Sequence, residues 1–327
     1  MYIEDLKFSL WADFIEREYL DNEFQELIEK KIINGATSNP AIFKNAILSS
    51  PAYLEQLKSL DEELSAKEKY EALAIFDIQK AADILRPLFD KKDDGYVSIE
   101  VDPHLCDDTE GTIEEGKRLF ATIGRPNVMI KVPATEAGYK AMETLTAEGI
   151  PVNATLIFKK EQAIKCAEAF ARGGEKHGAK VDTVISIFVS RIDRALDKHL
   201  QEHKLPTALS GIYNTADIYN AIEEMQVPGC RALFASTGVK DDSLPAHYYV
   251  EKLLAYNSVN TAPIDTIKAY YQEGAKTKAL PIASSVIKEH FEKIEAIGID
   301  FDAVLTQQIE DGLEAFKDAF TEILEAL

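Results

Sequence analysis

Eight short apolar or β-branched stretches recur between positions 8 and 260, and most are followed by a polar turn and a longer segment with helical spacing. They fall at 8–13 (FSLWAD), 32–38 (IINGATS), 95–101 (GYVSIEV), 127–132 (NVMIKV), 151–157 (PVNATLI), 181–187 (VDTVISI), 231–236 (RALFAS) and 256–260 (YNSVN). Helices are expected at 53–65, 68–90, 109–122, 136–147, 160–174, 190–202, 214–225 and 244–253. In 68–90, Ala, Leu and Ile return at three- and four-residue steps while Lys, Glu and Asp fill the other face. Thr135 is placed to cap 136–147, and Gly173–Gly174 offers a left-handed stop for 160–174. This alternation favours a (β/α)8 TIM barrel over a doubly wound sheet. The segment from about 264 to 327 reads as additional C-terminal helices, packed on the barrel's outside or over one of its mouths. No Gly/Ser linker, repeat or low-complexity tract divides the chain, so 1–327 is expected to form a single domain.

A barrel needs a large core, and 327 residues at 46% hydrophobic and 28% charged can supply it. The net charge of −20 opposes binding to nucleic acid or to an anionic membrane surface. Any phosphate must be held locally by a few basic groups. No apolar run approaches the roughly 18 residues of a membrane span, and the N-terminus does not read as a signal peptide. Cys106, Cys166 and Cys230 are too few and scattered for a disulfide framework, so a cytoplasmic location is expected. The six histidines form no HExxH spacing. His199 and His203 lie four apart but lack a third ligand, so no metal is expected.

In a barrel, functional side chains gather at the C-terminal ends of the strands. Asp13, Asn39, Glu100, Lys131, Asn153 and Ser186 all fall at or near such ends. Lys131 stands out because it interrupts a strand that helices should cover. It either reaches solvent along its stem, pairs with Glu100, or is retained for chemistry as an amine that attacks a carbonyl. The strand alone leaves all three open.

The blocks SLWADF, NGATSNPAIF, VSIEVDPHL, IKVPAT, VNATLIF and ISIFVSRID, in this order across 9–193, resemble the transaldolase family in its longer bacterial form. FASTGVK and YNSVNTAP extend the resemblance to about residue 263. It implies a (β/α)8 enzyme without metal or organic cofactor. Such an enzyme moves a dihydroxyacetone unit from sedoheptulose 7-phosphate or fructose 6-phosphate to glyceraldehyde 3-phosphate or erythrose 4-phosphate. Sugar phosphates are then the partners, and a homodimer is a possible assembly.

The resemblance assigns Lys131 to the imine and Asp13 to the acid/base step at the C4 hydroxyl. Read without it, Asp13 is a first-turn carboxylate favoured by the helix dipole. Glu100 is implied to work through a bound water that Thr155 helps to hold. Strand alternation alone does not separate Glu100 from Asp102. Asn39 and Asn153 match positions that bind donor hydroxyls, with Thr37 leading into Asn39. Ser186 lies near the imine, and Phe188 forms pocket wall. Arg191 and Ser236 match the phosphate end, where Lys240 stands in for the arginine that shorter relatives carry after the serine. Bland readings remain beside these: Asn39 as a turn or cap, and Arg191 as a surface residue paired with Asp193 or Asp182. One alternative function is fructose 6-phosphate aldolase, whose members carry glutamine and tyrosine where this chain has Glu100 and Phe188. Another is a non-catalytic sugar-phosphate-binding barrel.

Overall fold

A computed structural model describes residues 2–240 and 244–327. Among these residues the strands are β1 Tyr2–Ile3, β2 Phe8–Ala12, β3 Ala36–Thr37, β4 Val97–Glu100, β5 Val128–Pro133, β6 Val152–Ile157, β7 Thr183–Phe188, β8 Cys230–Ala235 and β9 Ser258–Ala262. Strands β2 to β9 pair in parallel in chain order, and β9 closes on β2 from Ser9–Val259 to Ala12–Ala262. The expected eight-stranded parallel barrel with outer helices is therefore present. Every residue of β5, β6 and β7 is buried, because helices cover the outside while side chains fill the inside.

The largest departure from the expected strands is β3. The stretch 32–38 contributes only Ala36–Thr37, because Asn34 turns its side chain into the ladder and accepts a hydrogen bond from the Leu10 amide. Strand β1 pairs antiparallel with Ser9 and Phe8, and so extends the sheet beside β2 where β3 is too short to reach.

Helices 136–147 and 190–202 form with the expected bounds, as Glu136–Ala147 and Ser190–Glu202. Thr135 caps the first by accepting from the Gly138 amide at 3.0 Å. The helix expected to stop at Gly173–Gly174 continues to His177, and left-handed Gly178 ends it. Gly173 serves packing instead: a Cβ there would lie 2.7 Å from the Glu143 carbonyl oxygen, on the neighbouring helix. The helix expected from 214 begins at Ser210, because Asp193 from another helix accepts the Gly211 amide hydrogen bond at 2.8 Å. That tertiary cap has no local sequence signal. The expected 53–65 shrinks to Leu54–Ser59, and 244–253 to Tyr248–Lys252.

The C-terminal segment folds as Ile264–Glu273, Ser284–Ala296 and Phe301–Ala326. The last of these crosses the mouth at the C-terminal ends of the strands. Asp302 pairs with Lys159 beyond β6, Glu322 with Lys44, and Thr321 bonds His104 beyond β4. Phe316, Phe320, Ile323 and Leu305 are buried beneath it. Each such side chain contributes roughly 1.5–3 kcal/mol, against roughly 0.2–1 for an exposed ion pair, so apolar burial holds this helix down. No described helix is long and apolar enough to cross a membrane.

Candidate active site

Register places the chemistry. Glu100 on β4 pairs across to Lys131 on β5, and Lys131 pairs across to Asn153 on β6, so three polar residues form one row at the barrel's upper end. Lys131 is 4% exposed. Its Nζ donates to the Ser38 carbonyl at 3.0 Å, stands 3.4 Å from Glu100 Oε2, and lies 5.7 Å from the centre of the Phe316 ring. The pairing with Glu100 foreseen for a structural lysine is present, but the amine does not snorkel to bulk water. It sits in the floor of a cavity that opens between the βα loops.

Both Glu100 carboxylate oxygens and the Thr155 hydroxyl are buried without a hydrogen-bond partner among the described residues. The 3.4 Å approach to Lys131 is a charge contact that lacks hydrogen-bond alignment. Burial lifts the Glu100 carboxyl to about 7, against the pull of Lys131 and with a small push from Asp13. Asp102 is a different case. The strand ends at Glu100, and Asp102 caps the following turn through the His104 amide and pairs with Lys67. Alternation could not separate the two residues, but the end of the strand does.

Asp13 follows β2 directly and lines the cavity. It accepts a hydrogen bond from the Thr37 hydroxyl at 2.7 Å, and the Thr37 and Thr261 hydroxyls are hydrogen-bonded at 2.6 Å. Because Thr37 donates to Asp13, Thr261 must donate to Thr37. Burial raises the Asp13 carboxyl above its ordinary value, opposed by Lys131, Thr37 and Lys240. The Asn39 Oδ1 caps helix Pro40–Ser49 at the Ile42 amide, as one expectation had it, and the residue also lines the cavity.

Thr155 precedes Leu156, whose φ of +59° marks a register shift in β6. The buried Gln162 side chain braces this strained turn. It accepts from the Phe158 and Lys159 amides and donates to the Ala134 and Leu156 carbonyls. Ser186 lines the cavity and donates to Asn153 Oδ1 at 2.7 Å. Asn153 itself is fully buried behind the wall, with its amide also donating to Ser98.

At the outer end, Phe188 packs on Phe158 and lies 5.1 Å beneath the Arg191 guanidinium. Arg191 makes no ion pair among the described residues. Asp193 is bound instead by Gly211 and Tyr249, and Asp182 by Tyr96 and Lys180. Burial, with Arg194, holds Arg191 below its ordinary value while Asp311 opposes. Ser236, at a φ of +56°, meets Ser190 at 3.1 Å, and Lys240 completes the rim. The outer end thus presents a desolvated guanidinium, a second cation and a hydroxyl, a set suited to an anion.

Ten of the twelve residues expected from the sequence line this one cavity, and the other two, Glu100 and Asn153, touch residues that do. Sequence reasoning missed Thr261 and Phe316, which also line it. Alternation along the last strand could have marked Thr261. Nothing local marks Phe316.

The chain matches the transaldolase/fructose-6-phosphate aldolase family over residues 10–327. A protein named transaldolase from Campylobacter jejuni (strain RM1221) is 48% identical across 98% of this chain and 99% of the relative. One of the same name from Helicobacter pylori (strain Shi470) is 42% identical across 97% and 98% respectively.

Proposed function

This chain belongs to the transaldolase/fructose-6-phosphate aldolase family, and from that premise we infer that it is a transaldolase working through an imine on Lys131. The observation that carries the reading is Lys131 Nζ in a cavity floor, beside a carboxyl that burial has brought to about 7. The amine attacks the C2 carbonyl of fructose 6-phosphate or sedoheptulose 7-phosphate, and water leaves as the C=N bond forms. Glu100 can both give and take a proton near neutrality, which that dehydration needs. Its unpaired oxygens and the Thr155 hydroxyl supply acceptor and donor sites for a bound water that relays the proton.

Asp13 takes the proton of the C4 hydroxyl, and the electrons of the C3–C4 bond move into the imine. The departing aldehyde is glyceraldehyde 3-phosphate or erythrose 4-phosphate, and the dihydroxyacetone unit stays on Lys131 as an enamine. The other aldehyde then enters, the steps reverse, and Asp13 returns its proton. Thr37 and Thr261 orient Asp13 through their shared chain of hydroxyls. Asn39, Asn153 and Ser186 bind the sugar hydroxyls or hold the groups that do. Arg191, Ser236 and Lys240 receive the phosphate, over a floor formed by Phe188.

The enzyme is taken to act in the cytoplasm as one catalytic domain, and its charge of −20 weighs against a nucleic-acid partner. A homodimer is the assembly to test by light scattering. The decisive experiment for the chemistry is borohydride reduction with fructose 6-phosphate, followed by peptide mapping. A reduced dihydroxyacetone adduct on Lys131 is expected, and erythrose 4-phosphate added before reduction should convert the held unit to sedoheptulose 7-phosphate. A folded, sugar-binding protein with no adduct would refute the mechanism.

A further inference from the structure

Among the described residues that line the cavity, Phe316 alone comes from the C-terminal tail; the rest come from the barrel strands, the loops that follow them and the first turn of helix Ser190–Glu202. Its ring is 4% exposed, packs with the apolar group that includes Phe158 and Phe188, and stands 5.7 Å from Lys131 Nζ. One turn earlier on the same helix, Gly312 leaves room for the outer end of the cavity. A Cβ there would meet Leu156 at 3.0 Å and the Arg191 guanidinium at 3.4 Å. The helix therefore fits closely over both ends of the cavity, bare beside the arginine and aromatic over the lysine. Burial of its apolar face and its bonds to barrel-end residues fix the ring in place.

We propose that Phe316 is the residue that keeps water from the Lys131 intermediate and so sets how much dihydroxyacetone is transferred and how much is released. This rests on the imine reading above. Once the first aldehyde has left, the enamine has two fates. It can attack an acceptor aldehyde, or its C3 can take a proton to regenerate the iminium. In the second case water adds at C2, the C–N bond breaks with the nitrogen keeping the electron pair and gaining a proton, and dihydroxyacetone departs. Hydrolysis of the transfer product's imine also consumes one water, so the step peculiar to release is protonation of the enamine at C3, and a wall that keeps water from the enamine slows that step selectively. Phe188 closes the cavity toward the phosphate end, where it lies under Arg191, whereas Phe316 lies over the nitrogen itself. The π face of the ring also favours the cationic iminium over a displaced, hydrated one.

The test compares Phe316→Ala with Phe316→Leu, which retains apolar cover and stands alone if the alanine variant does not fold. Dihydroxyacetone released from fructose 6-phosphate is measured against sedoheptulose 7-phosphate formed with erythrose 4-phosphate, and Lys131 trapping is measured in parallel. The ratio of release to transfer should rise about tenfold for alanine and about two- to threefold for leucine, as a partial loss of water exclusion implies. Trapping should remain on Lys131. An unchanged ratio in every folded variant, with trapping intact, would overturn the proposal and leave Phe316 as packing. Loss of trapping in the unaltered protein would instead remove the imine reading.

Discussion

At the N-terminal mouth of the barrel, Asp94 accepts two N–H bonds from Arg231, at 2.8 and 3.1 Å, and one from Trp11 at 2.9 Å. Beside it the Tyr96 hydroxyl donates to Asp182, which also pairs with Lys180. At the opposite mouth Glu100 is as deeply buried as Asp94, yet accepts no hydrogen bond, and Arg191 has no ion pair among the described residues. One interior thus treats the same side-chain types in two ways. At the lower end, complete pairing makes the charges supports for the fold. At the upper end, bonds are left unmade, so the folded state carries a penalty that a substrate can relieve.

Substitutions can break this contrast. The largest effect is expected for Lys131→Met, which should lower kcat/KM by at least about 10⁴-fold, as removal of a covalent nucleophile does. Its thermal midpoint should stay close to the parent's, because Glu100, already raised to about 7 by burial, can take up a proton when its partner is lost. A clear fall in stability would mean that the upper lysine is structural after all. Asp94→Ala should do the reverse. Orphaning Arg231 should lower unfolding free energy by about 3–5 kcal/mol while activity per folded molecule holds. Denaturant titration beside an activity assay separates the two.

Glu100→Gln sharpens the contrast through pH. The parent carboxyl rises from the ordinary 4.5 to about 7 in the folded state, so its neutral form is the favoured one. The stability it confers is full below 4.5 and is lost as pH rises through about 7. The glutamine variant lacks this loss, so its thermal midpoint should gain on the parent's across that window while kcat falls about 10²–10³-fold for want of a proton carrier. A constant gap between the two midpoints would show that Glu100 is already ionised in the fold. The smallest effect is expected for Arg191→Lys. A lysine cannot reproduce the guanidinium fork, so KM for a phosphorylated donor should rise about tenfold with little change in kcat.

How much of this was legible in the sequence follows from the range of the interactions involved. The number and order of the strands, helix Glu136–Ala147 with its Thr135 cap, and the row of polar residues at the barrel's upper end are set by local periodicity, so they could be read. Glu100 and Asp102 differ only in where β4 stops, which depends on its neighbours. The early start of helix Ser210–Met225 depends on Asp193, and the roof over Lys131 on Phe316, both far away in the chain. Neither leaves a trace in its own neighbourhood. The roles given to Asn39 and Arg191 needed the family blocks, because a cap and a surface arginine explained the same letters.

Closure of β9 onto β2 has a consequence for how the molecule is made. Strand β2 ends at Ala12 and β9 begins at Ser258, so a growing chain emerges with one β2 edge unpartnered for roughly 10–50 s at about 5–20 residues per second. An open edge of this kind is a template for pairing with the wrong strand. Helix Phe301–Ala326 comes later still. On the ribosome Lys131 is therefore translated long before the cavity can gain its last wall.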